Sequence, residues 1–233
     1  MHNLISYRKW DSDFFERKVG VVENDGELTG KELYEYLAIS DYEIVYIFSS
    51  KALDVDYLDL VERKLTFSKD VSQVSNQNSS FIKTIDSDSE MNDSLLDLVY
   101  LSGHLSRFKL DKRFPSGSFK KMYRLWIEKS MSREMAIEVL GYYIKNELVG
   151  FVTIGSNGSL GIATIGLVSV SPDHSGKGIG KSLMLAAERV AYSLGYKVMN
   201  VVTQGANIPA VNLYRSVGYR LEKETFLYHY FKN

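Results

Sequence analysis

Apolar positions recur at three- and four-residue spacing through the middle of the chain. Met91, Leu95, Leu98, Val99 and Ser102 share one helical face, and Phe119, Met122, Tyr123, Trp126, Ile127 and Ser130 share another, which predicts two amphipathic helices. Three β-rich runs follow at Ala136–Ile144, Leu148–Ile154 and Leu160–Val170. The tight Lys145-Asn146-Glu147 joint and the Gly155–Ser159 joint predict an antiparallel meander. After Pro172 and a glycine-rich turn, Ile179, Leu183, Ala186, Ala187, Val190 and Leu194 form a further helical stripe, with Gly195 placed as its C-terminal stop. Tyr196–Thr203 reads as a strand. Asn207 is placed to cap a short helix carrying Pro209 in its first turn and Gly218 past its end, and Phe226–Phe231 is expected to close the sheet. The order predicts an α/β fold (mixed α+β), with a mostly antiparallel twisted sheet and one parallel crossover.

The first part of the chain is patterned less clearly. Lys31–Ala38 and Asp56–Leu65 carry helix-like spacing, whereas the β-branched and aromatic Tyr42–Phe48 reads as a strand. Ser, Asn and Gln dominate Asp70–Ser80, which reads as a linker. The expected division is a small N-terminal α/β domain at 1–75, contributing to acceptor binding, and a larger domain at 80–233.

Composition removes several chemistries. The chain has no cysteine, which excludes disulfides, thiolate metal sites and a cysteine nucleophile. Its four histidines are scattered at positions 2, 104, 174 and 229 without metal-ligand spacing, so no metal is expected. Lys+Arg 28 against Asp+Glu 29 argues against a nucleic acid or membrane partner. With no leader-like start and no apolar run of about 20 residues, a cytoplasmic location is expected.

The sharpest local feature is Ser175-Gly-Lys-Gly-Ile-Gly-Lys-Ser182 between a strand and a helix. Glycines let backbone N–H groups approach a ligand, and a helix N-terminus behind them favours an anion. A nucleotide-triphosphate loop fails because its first glycine would fall on Ser175, and a dinucleotide fingerprint fails because its third glycine would be Lys181.

The run Leu167-Val-Ser-Val-Ser-Pro-Asp-His-Ser-Gly-Lys-Gly-Ile-Gly180 instead resembles the acyl-CoA loop of the Gcn5-related N-acetyltransferase (GNAT) family, with Ser175 where Gln or Arg is usual. A second segment, Asn207…Ala210…Leu213-Tyr214…Gly218-Tyr219, fills every named position of that family's second motif. The resemblance implies the GNAT fold and acetyl-CoA as co-substrate, with direct attack of an acceptor amine on the thioester. It places Leu167, Val168 and Val170 along the pantetheine arm. Ser175, Gly176, Lys177, Gly178, Ile179, Gly180 and Lys181 would surround the pyrophosphate, the two lysines adding charge or simply being solvated. Asn207 would contact the cofactor and cap its helix, and Tyr214 would act as general acid toward the sulfur. A general base is not evident. His104 is the most suggestive histidine, although a loop histidine is often structural.

Trp10-Asp-Ser-Asp-Phe-Phe15 and Ser106-Arg-Phe108…Asp111…Phe114…Trp126 resemble dTDP-fucosamine acetyltransferases, which acetylate a nucleotide-linked 4-amino sugar. That implies a nucleotide amino sugar as acceptor, with His104, Ser106, Arg107 and Gln204 as substrate-binding candidates. Arg107 could meet a diphosphate or form a surface ion pair, and Trp10, Phe14, Phe15 or Phe108 could stack on a base or belong to the core. Another amine acceptor (a small metabolite, an antibiotic or a peptide N-terminus) and a non-catalytic acyl-CoA-binding module remain alternatives. Such domains often pair through their sheets, which makes a homodimer the expected assembly.

Overall fold

A computed structural model of the chain describes residues 4–25, 28–74, 79–86, 91–156 and 161–232. His2, the centre of the 70–80 linker and most of the 155–159 joint lie outside the described residues. The N-terminal part runs β1 (Ser6–Tyr7), α1 (Lys9–Phe15), β2 (Val19–Asn24), α2 (Gly30–Ile39), β3 (Ile44–Ser49) and β4 (Asp59–Asp70). Next come β5 (Ile82–Thr84), α3 (Asp93–Ser102), α4 (Arg107–Leu110), α5 (Ser118–Met131) and the meander β6 (Glu138–Ile144), β7 (Glu147–Ser156) and β8 (Ile162–Val170). A 3-10 turn at Pro172–His174 leads to α6 (Ile179–Ser193), β9 (Val198–Gln204), α7 (Ile208–Ser216) and β10 (Arg220–Phe231).

The ten strands of the described residues belong to one sheet in the order β1-β2-β3-β10-β4-β9-β8-β7-β6-β5. Three expectations change as a result. Asp56–Leu65 is not helical, because β4 is paired on both sides, by β10 and by β9, and that tertiary pairing overrides local spacing. β10 does not close the sheet, since it lies between β3 and β4, and the edges are β1 and β5. Among the described residues there are two parallel pairs, β2–β3 and β8–β9, where one crossover was expected. Residues 1–75, expected as a small domain, add their strands to the same sheet as the rest of the chain.

Alternation along the strands sends neighbours to opposite faces. Leu140 and Val152 pack with α6 and α7, while Val139 and Phe151 pack with α3 and α5. In the N-terminal part, Val22, Val45 and Ile47 pack with Leu33 and Leu37 of α2. On the other face Val19, Val21, Ile44 and Tyr46 share a core with Phe15, Phe108, Phe114 and Met122, which ties α1 to α4 and α5. Phe14, Phe15 and Phe108 belong to this aromatic core, whereas Trp10 stacks on Phe14 with centroids 5.2 Å apart and stays 37% exposed. Among the described residues no helix is long and apolar enough to cross a membrane.

Candidate functional site

The parallel pairing of β8 with β9 extends only from Ile162↔Val198 to Ile165↔Val201. Beyond that point a cavity of about 820 Å³ lies between the strands, lined by Ile165–Val170 of β8 and Val201–Gln204 of β9. The amides of Leu167 and Ser171 point away from it, donating to Thr153 Oγ1 (2.8 Å) and to the Val149 carbonyl (2.8 Å) of β7. Backbone groups alternate in direction along a strand, so Val168 and Val170 turn their N–H and C=O groups into the cavity. The predicted strand positions therefore divide: Val168 and Val170 offer backbone groups, and Leu167 offers only its side of the wall.

The far end of the cavity is the glycine turn. Gly176 and Gly178 have φ of +74° and +78°, a region costly for side-chain-bearing residues, and a Cβ at either would meet nothing within 4 Å. Gly178 is the N-cap of α6 and no side chain caps this helix, so its first N–H groups and positive dipole end are free to face an anion. Ser175, Ile179, Gly180 and Lys181 also line the cavity. Gly180 has a packing duty as well, because a Cβ there would lie 3.1 Å from Leu213 Cδ2 of α7. Lys177 folds back instead, its ammonium donating to the Asp173 carbonyl at 3.0 Å, and does not line the cavity.

α7 brings two predicted residues to the opposite wall. Asn207 caps the helix, its Oδ1 accepting from Ala210 N–H at 3.3 Å, and lines the cavity. Tyr214 is 3% exposed and packs edge-on against Phe67 of β4, centroids 5.8 Å apart. Burial raises its phenol above the ordinary value, so it holds its proton at neutral pH. His104 and Gln204 also line the cavity. The exposed His104 ring donates from Nδ1 to the Leu101 carbonyl at 2.9 Å. Ser106 and Arg107 do not line the cavity: Ser106 Oγ accepts from Phe108 N–H (3.3 Å) as the cap of α4, and the Arg107 guanidinium lies over the Tyr46 and Phe108 rings at 4.1 and 4.4 Å.

Sequence reading missed the residues behind Gln204. Glu62 is on β4, two positions before Lys64, which pairs with Gln204 of β9. Burial pushes the Glu62 carboxyl up, and the Arg107 and Lys64 charges, the Arg107 backbone amide and the Gln204 side chain oppose that rise. Tyr123, which lines the cavity from α5, has its own phenol raised by burial and feels the Glu62 charge. Behind Arg107 lies a buried chain of polar groups. Arg107 Nη1 is 3.3 Å from His229 Nε2, and His229 Nδ1 is 2.7 Å from Asp111 Oδ2. Guanidinium only donates and carboxylate only accepts, so His229 is the neutral tautomer with its proton on Nδ1. Burial pulls its pKa down to about 4, the Arg107 charge acts the same way, and the Asp111 hydrogen bond opposes both. Burial pushes Asp111 up, but hydrogen bonds from His229 and Arg113 outweigh it and hold the carboxyl below its usual range. Only the strand assignment of β4 could have singled out Glu62, and the local spacing there points to helix.

Residues 107–219 match the Acetyltransferase (GNAT) family. The chain is 37% identical over 81 residues to the streptothricin acetyltransferase of Escherichia coli, covering 35% of this chain and 46% of that protein. It is 38% identical over 58 residues to the mycothiol acetyltransferase of Pseudarthrobacter chlorophenolicus, covering 25% of this chain and 18% of that one. Both stretches span less than half of the relative. A Gcn5-related N-acetyltransferase from Sphaerobacter thermophilus has a similar structure, with a TM-score of 0.57 at 14% identity over 97% of this chain and 75% of that one. The likeness is one of fold: a mixed α/β fold of the GNAT type.

Proposed function

We propose that this protein, whose residues 107–219 match the Acetyltransferase (GNAT) family, is an acetyl-CoA-dependent N-acetyltransferase whose acceptor is the amine of a nucleotide-linked amino sugar. The observation that carries the reading is the uncapped N-terminus of α6, set behind a side-chain-free glycine turn at one end of the cavity where β8 and β9 part. That arrangement suits a diphosphate at the helix and an extended amide-bearing arm along Val168 and Val170. Acetyl-CoA supplies an activated acyl carbon when bound.

The chain's own groups then have distinct tasks. Amides at the start of α6 hold the pyrophosphate, and the free edge of β8 orients the arm so that the acyl carbon lies near Tyr214. Tyr214 gives its phenolic proton to sulfur as the C–S bond breaks and the C–N bond forms. Glu62, whose carboxyl interacts with the Gln204 side chain of the cavity wall, takes the proton the amine loses. Solvent then returns one proton to Tyr214 and removes one from Glu62, which closes the cycle with no net change in the protein.

The nucleotide-sugar acceptor is supported by the Trp10–Phe15 and Ser106–Trp126 resemblance noted above. A second acceptor class, a small antibiotic amine, is favoured by the likeness to streptothricin acetyltransferase. Purified protein with acetyl-CoA, dTDP-4-amino sugars, streptothricin-type amines and peptides, followed by free-thiol release, separates these readings. Turnover confined to the dTDP-amino sugar, and slowed about 100-fold in Tyr214→Phe with acetyl-CoA affinity kept, supports the proposal. Turnover only with other amines overturns the acceptor, and no thiol release with any amine overturns the catalytic reading.

A further inference from the structure

The ladder between β7 and β8 slips by one residue at the place where the cleft begins. Val152 faces Val168 and Ile154 faces Ile165, so Gly166 and Leu167 together stand opposite Thr153. The same point ends the β8–β9 pairing, whose last pair is Ile165↔Val201. An extra residue in one strand is a β-bulge, which bends that strand and disturbs the ladder locally. It also reverses the alternation beyond it, so the bulge decides which peptide groups of β8 face the cleft.

At this bulge a side chain does what a backbone carbonyl does in a regular ladder. The Leu167 N–H donates to Thr153 Oγ1 at 2.8 Å. Thr153 is 2% exposed and does not line the cavity, so its hydroxyl is held inside the sheet. Its β-branched side chain has little rotamer freedom there. Gly166 completes the fit, because a Cβ at that position would lie only 2.7 Å from the same Oγ1. The hydroxyl thus fills the space that any side chain at 166 would need. Gly166, Leu167 and Val168 all line the cavity, and Val168 is the first residue past the bulge. Neither Thr153 nor Gly166 belongs to the motif segments at 167–180 and 207–219.

We propose that Thr153 is a positioning residue for the acetyl group: its hydroxyl holds the Gly166–Leu167 bulge in shape, and the bulge aims the Val168 N–H at the thioester oxygen. The proposal rests on the reading of the cleft as an acetyl-CoA site, and Thr153 acts in it only through the backbone of β8. The contribution is electrostatic. Negative charge grows on the thioester oxygen as the amine adds, and a donor already in place stabilises it without reorganising. Without the hydroxyl, the Leu167 N–H loses its acceptor on the β7 side. Its peptide then turns toward the nearest carbonyl, and the Val168 N–H moves off line with it.

Infrared difference spectra of protein-bound acetyl-CoA, with and without 13C at the acetyl carbonyl, read the hydrogen bond to the thioester oxygen with no acceptor amine present. Thr153→Val keeps the branched shape and removes the hydroxyl. It should move the bound carbonyl stretch to higher wavenumber and lower kcat by about 10-fold, with the KM for acetyl-CoA changed by less than about twofold. Thr153→Ser keeps a hydroxyl and should return both readings toward the native protein. In the free protein, hydrogen exchange of the Leu167 amide should be at least about 10-fold faster in Thr153→Val and close to native in Thr153→Ser. An unmoved stretch in acetyl-CoA-bound Thr153→Val overturns the proposal, as do unchanged Leu167 exchange and a Ser variant as impaired as the Val one. If Thr153→Val does not fold, Gly166→Ala, which crowds the same Oγ1, is judged by the same stretch and the same exchange. A native protein that binds no acetyl-CoA overturns the reading of the cleft and the thioester role together. Bound acetyl-CoA with an unmoved stretch overturns the role of Thr153 alone, so the two failures are distinct.

Discussion

The two ends of the cleft are built from different materials. At the α6 end the proposed binding groups are backbone: amides behind Gly176 and Gly178, an uncapped helix start, and the free edge of β8. At the end proposed for the acceptor they are side chains from distant segments, with Gln204 in the wall and Glu62, Arg107 and His229 behind it where β4, α4, β9 and β10 adjoin. α7 offers an internal control for the first end. It starts at the same cavity, but the Asn207 side chain satisfies its Ala210 amide, whereas no side chain caps α6. A helix start without a side-chain cap leaves N–H groups for solvent or a ligand to satisfy. The difference shows one end tuned by local conformation and the other by long-range electrostatics, and the two should fail in different ways.

The largest expected effect is at the side-chain end. Glu62→Gln should lower kcat/KM for the acceptor by about 10²–10⁴-fold while leaving acetyl-CoA affinity unchanged, because the proton acceptor is lost and the α6 end is untouched. Steady-state kinetics with both substrates varied checks this, and a matched loss of acetyl-CoA affinity would erase the distinction between the ends.

A smaller effect concerns stability against pH. The folded His229 pKa of about 4 lies below the ordinary 6.5, so the unfolded chain binds the proton more readily between those values. Stability should therefore fall by roughly 2–3 kcal/mol as pH drops from 6.5 through 4. Asp111 adds a further loss below its ordinary value of 3.8, since its folded pKa is depressed. Urea unfolding of the free protein at a series of pH values should show the first slope, and His229→Gln should flatten it.

The smallest effect is at the backbone end. Gly178→Ala places a side chain at φ +78° and should cost about 1–2 kcal/mol of stability, with weakened coenzyme A binding. Binding of pantetheine, which lacks the diphosphate, should be unaffected in calorimetry. Equal weakening of both ligands would mean that the glycine turn supports the fold and not the diphosphate.

Legibility in the sequence follows the same division. The α3 and α5 stripes, the β6–β8 meander and the glycine turn are where periodicity and motif placed them, because each depends on neighbours within a few residues. The lining positions from Val168 to Tyr214 could not have been tied to one cavity by spacing alone, yet the two motifs put most of its wall on the page. Lys177, Ser106 and Arg107 show the limit, since a residue's place in a motif does not fix the direction of its side chain.

By itself the sequence determined the helices of the larger part, the strand–turn–helix that leaves α6 uncapped, and the Asn207–Tyr214 frame, all features whose free energy is local. Only the tertiary structure decided that Asp59–Asp70 is a strand, that it enters between β9 and β10, and that Glu62 thereby stands beside Gln204 with Arg107 behind it. The physical reason is that a strand's hydrogen bonds go to other segments. Its identity, its register and the charges it brings together are settled only when those partners arrive.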